Sequence, residues 1–322
     1  MTVPLRQNGV FSADTWRLQP APASSDANRG GEQDENWQPI SAEGQDKFLL
    51  TVAKIKELVN TGQTEAVRKE FDQLKKDFPE IAGPDLDAFI EAEILFCEAK
   101  FTKAVRAYDK LLNEFPDSRF TEAALGRQFE IATAFLTGQK KTVLHIFKMS
   151  RYDEGVKLME KISTRAGIDA QIGLKAALSL AKSYEKRQKF NEAYLKWWEI
   201  SQQWETGQVG KDTIMAMAQC KRANYNQRKE GRRHLYDGSG LITAKTYYKK
   251  LKLLYPEEAQ KIGADKILKD IDEQLAYKQL NIAQYYQKTG NIQAANLYYG
   301  MVINDWSQTS AAEIAKQTKD QE

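Results

Sequence analysis

Few residues of this chain have the types and spacings that catalytic chemistry requires. The two histidines, His145 and His234, lie far apart, and the sequence has no H-x-x-x-H, C-x-x-C or G-x-S-x-G motif. Gly210-Lys211 is followed by Asp212 and lacks the preceding glycine of a phosphate-binding loop. We therefore expect no catalytic residue, no cofactor and no metal ion. These residues favour a non-enzymatic protein.

The cysteine content and the charge exclude other kinds of site. Cys97 and Cys220 both lie in apolar helical contexts, so we expect two buried thiols rather than a disulfide or a metal pair. The formal net charge is +3, too close to balance to favour nucleic acid or a membrane surface as a partner. Lysines interleave with aromatic residues around Tyr247, but at helical spacing. That spacing indicates a core stripe with a solvated flank.

The element that must position any binding site is a recurring amphipathic helix. Residues 101–116 place apolar side chains at spacings of three or four before a terminating Pro116. Five further stretches repeat these offsets, and the small residue of each copy falls at Val67, Ala104, Gly155, Ala193, Ala244 and Ala295. The steps are 37, 51, 38, 51 and 51 residues. A small residue allows two helices to approach closely. Such self-similarity predicts about six stacked helix hairpins, and hence an all-α fold.

The composition divides the chain into an arm and a repeat array. Residues 12–41 are rich in Pro, Ser, Gly, Asn and Gln, so we predict that residues 1–45 form an extended or disordered N-terminal arm. Residues 46–322 form the array, with inserts near residues 138–151 and 227–240. We expect the first insert to lengthen a helix, with a partner-binding or interfacial segment as the alternative. The second is a basic, glycine-bearing loop, and a short helix around residues 311–316 caps the end.

Two parts of the chain resemble tetratricopeptide repeats: residues 101–116 and the set Tyr286, Gly290, Ile292, Ala295 and Tyr299. The repeat period exceeds 34 residues, as in the BamD-like outer-membrane assembly lipoproteins. Three stretches are similar to that family: AYDKLLNEFPDSRF at Ala107–Phe120, YDGSGLITAKTYYKKL at Tyr236–Leu251 and the hairpin Asn281–Trp306. The resemblance covers roughly residues 46–310. It implies a right-handed superhelical α-solenoid of tetratricopeptide-like hairpins.

The same resemblance implies a function. Members of that family are scaffolds on the periplasmic face of the outer membrane. The N-terminal hairpins would receive unfolded outer-membrane protein segments, and the C-terminal hairpins would dock the barrel-forming assembly subunit. The family is anchored through a lipidated cysteine, and no cysteine precedes Cys97 here. We therefore expect membrane contact only through a possible lipid anchor that is not present in this chain.

The register of the repeat predicts a partner-binding groove along the inner helices. Its expected positions, taken hairpin by hairpin, are Phe89, Glu93, Phe96, Phe129, Thr133, Leu136, Leu178, Lys182 and Glu185. In one interpretation the three phenylalanines are exposed and anchor apolar side chains of a partner, while Glu93 and Lys182 select its charge. In the other the phenylalanines pack between hairpins. The residue pattern leaves both open.

A rival function shares the same fold. A periplasmic or cytoplasmic tetratricopeptide-repeat adaptor would coordinate another multiprotein complex, such as the one that synthesises the cell wall. Its partner would differ while its helices would not. The partner recovered from solubilised envelopes separates the two hypotheses.

Overall fold

The structure is a computed structural model that describes residues 42–138, 140–143 and 147–320. The predicted arm lies outside the described residues, except for its last four. In the described residues the elements are α1 (Ala42–Asn60), α2 (Thr64–Asp77), α3 (Pro84–Cys97), α4 (Phe101–Glu114), α5 (Thr121–Thr137), β1 (Lys140–Val143), β2 (Phe147–Ser150), α6 (Tyr152–Ala166), α7 (Gln171–Lys186), α8 (Phe190–Gln203), α9 (Gly207–Asn226), α10 (Ser239–Leu254), α11 (Pro256–Lys261), α12 (Ala264–Lys288), α13 (Ile292–Asp305) and α14 (Ser310–Lys319).

The prediction of an all-α fold of helix hairpins is confirmed. The described helices pair as α1–α2, α3–α4, α5–α6, α7–α8, α9–α10 and α12–α13. The second helix begins at the first residue of the repeated motif in five of these pairs: Thr64, Phe101, Tyr152, Phe190 and Ile292. The repeated motif predicts these helix positions correctly because helical periodicity is a local property of the sequence.

The column of small residues forms the contact between paired helices. Ala104, Ala193 and Ala295 are buried. The tightest member is Gly155 on α6, where a Cβ atom would stand 3.0 Å from the backbone oxygen of Ala132 and 3.0 Å from the backbone nitrogen of Leu136 on α5. The absence of a side chain at Gly155 therefore sets how closely α6 approaches α5.

The chain divides into two compact units, residues 1–165 and 166–322. The core of the first is built around Phe71, Phe89, Tyr108 and Phe135. The second contains several core clusters. The one between α7, α8 and α9 centres on Trp197, and the last, between α12, α13 and α14, centres on Tyr299.

Four of the hairpins share one turn between their helices. A residue in the left-handed conformation stands two positions before the second helix: Gly62 (φ 75°), Ala99 (φ 55°), Gln188 (φ 58°) and Gly290 (φ 80°). The amide of the following residue then donates to the carbonyl five residues earlier, as Lys100 does to Leu95 and Asn291 to Tyr286, each at 2.9 Å. This is the Schellman arrangement that ends helices and satisfies their last carbonyls.

The two inserts fold differently from the helices. We expected residues 138–151 to lengthen a helix, and this prediction is wrong. β1 and β2 pair antiparallel from Lys140↔Ser150 to Val143↔Phe147. Gly138, with a φ of 121°, ends α5 before the insert. In the second insert, residues 230–235 form a 3₁₀ turn. The Tyr225 hydroxyl holds this turn by donating to the Arg233 carbonyl at 2.8 Å.

The last helix, α14, covers the end of the final hairpin. Its buried face consists of Ala311, Ala312 and Ala315. Two hydrogen bonds hold the first turn of α14 in place. The Thr309 side chain accepts from the Ala312 amide at 3.3 Å, and the Glu273 carboxylate on α12 accepts from the Ser310 amide at 3.1 Å.

Candidate functional site

A buried ionic cluster lies inside the first unit, where α3, α4 and α5 meet. Glu93 is 0% exposed and Arg127 is 4% exposed. The guanidinium of Arg127 donates to both carboxylate oxygens of Glu93, from Nη2 at 2.9 Å and from Nε at 3.0 Å. The Tyr108 hydroxyl is a further donor to Glu93. Arg127 Nη1 donates to Glu130 at 2.9 Å and to Asn60 at 3.1 Å. The cluster therefore links residues of four helices.

The electrostatics of the cluster suit a structural role. Burial alone would lower the pKa of Arg127, but the negative charges of Glu93 and Glu130 raise it above its ordinary value. Burial, and then the charge of Glu93, raise the pKa of Tyr108 well above its usual range. The arginine stays charged and the tyrosine stays a neutral donor. With its donors and acceptors matched in this way, the cluster offers neither an activated nucleophile nor a group poised to transfer a proton.

Of the two interpretations left open for Phe89, Phe96 and Phe129, the structure supports packing between hairpins, because all three are buried. Phe89 stacks on Phe120 with ring centroids 5.1 Å apart. The guanidinium of Arg127 lies over the ring of Phe96, 4.7 Å from its centroid. These rings pack between hairpins, because the next hairpin supplies Phe120 and Arg127 to cover them. Glu93 is likewise buried and paired with Arg127, which counts against the interpretation in which it selects a partner's charge.

The remaining predicted positions are more accessible. In the first unit Thr133 and Leu136 are half-buried, and Thr133 donates to the Phe129 carbonyl at 2.8 Å. In the second unit Leu178 and Glu185 are half-buried and Lys182 is exposed. The spacings of four and three residues place these last three on one face of α7.

Glu185 has a partner that the sequence reasoning missed. Its carboxylate accepts from Trp197 Nε1 at 2.7 Å, and Cys220 Sγ lies at 3.5 Å. In the last hairpin the Tyr299 hydroxyl donates to Gln287 Oε1 at 2.8 Å. Both acceptors precede their ring by twelve residues. The aromatic position in the repeat is thus not purely apolar, since its N–H or O–H is tied to the partner helix.

Arg127 was also missed, although the sequence contains a signal for it. Arg127 and Gln128 interrupt a run of small and apolar residues on α5, and a charge in such a run requires a buried partner. Its partner Glu93 lies 34 residues away, and no local pattern identifies it.

The second unit contains an open cleft of about 480 Å³ beside the turn between α7 and α8. Its walls come from that turn, from α9 and from α10. The side chains that line it include Gln188, Phe190, Gln219, Arg222, Asn226 and Tyr248. The lining is rich in amides, and it includes none of the predicted groove positions.

The last hairpin presents a second open surface, which we name the closing surface: Tyr285, Tyr286, Leu297, Tyr298 and Met301. Tyr285 and Leu297 are each 63% exposed. The rings of Tyr286 and Tyr298 stack with centroids 5.5 Å apart, and Tyr285 contacts Tyr286 edge to face at 5.7 Å. Exposed Tyr285, Leu297 and Met301 beside the half-buried pair of Tyr286 and Tyr298 are typical of a protein-binding surface.

Features of other kinds of site are few in the described part of the chain. His145 lies outside it. The backbone carbonyl of His234, in the 3₁₀ turn, accepts from Lys278 Nζ at 2.9 Å. Cys97 and Cys220 are both buried free thiols, as predicted. Among the residues that the structure describes, no group of three histidine, cysteine, aspartate or glutamate side chains is placed to hold a metal ion. None of the helices described is both long enough and apolar enough to cross a membrane.

Comparison with known proteins places the chain among helical repeat proteins. Residues 92–118, at the junction of α3 and α4, match a tetratricopeptide repeat model. Residues 142–321, more than half of the chain, match the YfiO model, described as an outer membrane lipoprotein. The chain therefore belongs to the YfiO outer membrane lipoprotein family.

A solved structure, the C-terminal part of a TPR repeat-containing protein from Cytophaga hutchinsonii, is similar at 15% identity. The match covers 85% of this chain and 93% of that one, with a TM-score of 0.33. No curated protein matches the chain.

Proposed function

We propose that this protein is a non-enzymatic scaffold of the outer-membrane β-barrel assembly machinery, acting at the periplasmic face of the outer membrane. The observation that carries the proposal is the family match over residues 142–321, on a fold of helix hairpins. Its partners would be the barrel-forming assembly subunit and unfolded segments of outer-membrane proteins. Helical repeats suit such partners, because stacked hairpins present an extended surface for a polypeptide.

The closing surface is the site we assign to the barrel-forming assembly subunit. Leu297 and Met301 are four residues apart on α13, and Tyr298 and Met301 are three apart, so they share one face. That face continues onto α12 through the stacked Tyr286. Aromatic and methionine side chains are enriched at interfaces, and a few of them dominate the binding free energy.

The predicted groove is retained, as a proposal, for unfolded substrate segments. Each unit supplies its own positions. Thr133 and Leu136 in the first unit have partly accessible side chains, and so, separately, do Leu178, Lys182 and Glu185 in the second. In the first unit the buried Phe89, Glu93, Phe96 and Phe129 would stabilise the hairpins rather than contact the substrate.

The experiment that tests the proposal is co-purification from detergent-solubilised envelopes. The tagged chain should recover the barrel-forming assembly subunit. The paired change Tyr285→Ala with Leu297→Ala should reduce recovery at least ~10-fold, since truncating central interface residues costs about 2 kcal/mol or more. Leu253 on α10 is 81% exposed and lies outside the closing surface. Leu253→Ala is therefore the matched control and should recover as much subunit as the unaltered chain.

Two results would contradict the proposal. Recovery of cell-wall synthesis proteins in place of the assembly subunit would favour the adaptor alternative. Unchanged recovery by the paired variant, with an unchanged circular dichroism spectrum, would remove the closing surface from the interface.

A further inference from the structure

The second unit carries a cationic surface that we name the basic edge: residues 186–189, at the turn between α7 and α8, and residues 228–236 of the second insert. The two segments are joined, because Gln227 Nε2 donates to the Gln188 carbonyl at 2.7 Å. Residues 186–189 and 228–233 contain seven cationic side chains and one acidic one, Glu230. The flanking Glu185, Glu192 and Asp237 leave the excess positive. The small net charge of the whole chain therefore hides a local concentration of positive charge.

The cations of the basic edge are accessible to a ligand. Residues 227–232 are exposed one after another, so this part of the insert projects into solvent. The residues of the turn at 186–189 are exposed as well. Six of the seven cationic residues are exposed: Lys186, Arg187, Lys189, Arg228, Lys229 and Arg232. The seventh, Arg233, is half-buried.

Two apolar side chains stand exposed beside these charges. Leu235 is 69% exposed and Tyr236 is 42% exposed. The guanidinium of Arg228 lies over the ring of Tyr236, 4.7 Å from its centroid. The insert therefore presents an apolar projection within a cationic surface.

The conformation of the insert is fixed from inside the unit. Arg233 donates from Nε to the Arg228 carbonyl at 3.0 Å and from Nη2 to the Asn226 carbonyl at 2.9 Å. Lys278 Nζ on α12 donates to the carbonyls of His234 and Tyr236 at 2.9 and 2.7 Å. A segment held in this way loses little conformational entropy when it binds.

The combination of charge and exposed apolar surface indicates which ligand would fit. At a bilayer surface, Lys and Arg attract anionic headgroups, apolar side chains enter the boundary with the acyl chains, and tyrosine rings lie at headgroup level. An acidic protein would complement the charge equally well, but it would need a pocket shaped for Leu235. A bilayer accepts an apolar projection without such a pocket.

We propose that the basic edge binds the surface of a bilayer that contains anionic phospholipid, with Leu235 inserted among the headgroups. The inference goes beyond the proposed scaffold function and rests on it only for location, since the periplasmic face of the outer membrane places a bilayer within reach. Vesicle binding requires no partner protein. It can therefore succeed or fail independently of co-purification.

The first test is co-sedimentation of the full chain with vesicles of phosphatidylcholine that contain about one third phosphatidylglycerol. Binding should be at least ~10-fold tighter than to vesicles of phosphatidylcholine alone. It should weaken when salt is raised from about 0.05 M to about 0.5 M, because the charges that attract the headgroups are exposed and screened. Equal binding to the two kinds of vesicle would overturn the proposal.

Charge reversal locates the contact. Lys229→Glu with Arg232→Glu changes two exposed positions of the basic edge. Each cation near an anionic surface strengthens binding about fivefold, so the paired variant should bind at least ~10-fold more weakly. Lys249→Glu with Lys250→Glu reverses as many charges at exposed positions of α10 outside the basic edge, and should lose less than ~3-fold. Equal losses by the two pairs, with unchanged melting temperatures, would show that net charge governs binding and would overturn the assignment.

A fluorescent label tests the insertion of the apolar side chain. Leu235→Cys takes up the environment-sensitive dye NBD selectively, because both native thiols are buried. The dye should brighten with the anionic vesicles and be quenched by nitroxide-labelled acyl chains. The same label at Leu253→Cys, another exposed leucine, should show neither effect. Unchanged fluorescence at position 235 would overturn the insertion.

Co-purification separates this inference from its alternatives. Lys229→Glu with Arg232→Glu should still recover the assembly subunit, because the closing surface is intact. Loss of the subunit by this variant, with no vesicle binding by the unaltered chain, would identify an acidic protein as the ligand and overturn the proposal. If no form of the chain recovers the subunit but the vesicle results hold, the scaffold assignment fails and the lipid contact stands.

Discussion

Arg127 connects Glu93, Glu130 and Asn60 with hydrogen bonds of 2.9 to 3.1 Å while lying over the ring of Phe96. A single side chain therefore joins the first three hairpins of the chain. The contribution of such a cluster to folding stability depends on whether both of its charges are present. Together the charges compensate one another, but either charge left alone in the interior is strongly unfavourable.

We expect Arg127→Met to lower the free energy of unfolding by ~3–5 kcal/mol, because it leaves the Glu93 carboxylate buried without its cation. Urea denaturation followed by circular dichroism measures the change. The double variant Glu93→Met with Arg127→Met should lose less than Arg127→Met alone. Lys182→Met, at an exposed position, is the control and should change stability by about 0.5 kcal/mol or less. A loss below about 1 kcal/mol in Arg127→Met would show that the ion pair is not important to folding.

At the scale of single residues, the sequence predicted burial less well than it predicted the positions of helices. Phe89 and Phe96 were given correct helix positions, yet the periodicity of one helix does not reveal whether the next hairpin will cover a given face. Phe120 and Arg127 supply that cover from another hairpin. Only the folded chain shows that the predicted groove is closed at these positions.

At the scale of the elements, the shared turn is the most regular feature. Gly62 and Gly290 adopt the left-handed conformation without steric cost, whereas Ala99 and Gln188 adopt it with a Cβ atom present. For residues other than glycine this conformation costs roughly 1–2 kcal/mol. The first insert differs from the prediction for a related reason: Gly138 ends α5, and Thr142, Val143 and Phe147 in the insert favour strands.

Two changes test the turn in opposite directions. Ala99→Gly should raise the free energy of unfolding by about 1 kcal/mol, because it relieves the left-handed strain. Gly290→Ala should lower it by about the same amount.

Gly300, in the middle of α13, provides the matched control. A Cβ at Gly300 would meet no atom within 4 Å, so Gly300→Ala should stabilise the helix by ~0.5–1 kcal/mol. Thermal melts of the three variants measure the signs. A stabilising Gly290→Ala would show that the turn rearranges at no cost.

At the scale of the whole molecule, a repeat array derives its stability from contacts between neighbouring hairpins. The terminal hairpin has a neighbour on one side only, and α14 covers its other side with Ala311, Ala312 and Ala315. The sequence predicted this helix around residues 311–316, but not the anchoring of its first turn by Glu273, because Glu273 and Ser310 are 37 residues apart.

Ala315→Glu should expose the end of the array, since it places an unpaired charge at a buried position. We expect a loss of several kcal/mol in the unfolding of the last hairpin. Hydrogen exchange monitored by mass spectrometry should show faster exchange in α13, with α7 and α8 unchanged. Gln317→Glu adds the same charge at an exposed position and should leave exchange in α13 unaltered. Faster exchange throughout the second unit would show that its hairpins unfold together.

The two cysteines have a practical consequence for all of these measurements. Burial raises the pKa of the Cys97 thiol, and burial with the adjacent Glu185 carboxylate raises that of Cys220. At neutral pH both remain protonated and shielded, and the thiolate is the form that reacts with alkylating reagents. A single cysteine introduced on the surface will therefore take up a maleimide dye or spin label selectively, with both native thiols left in place.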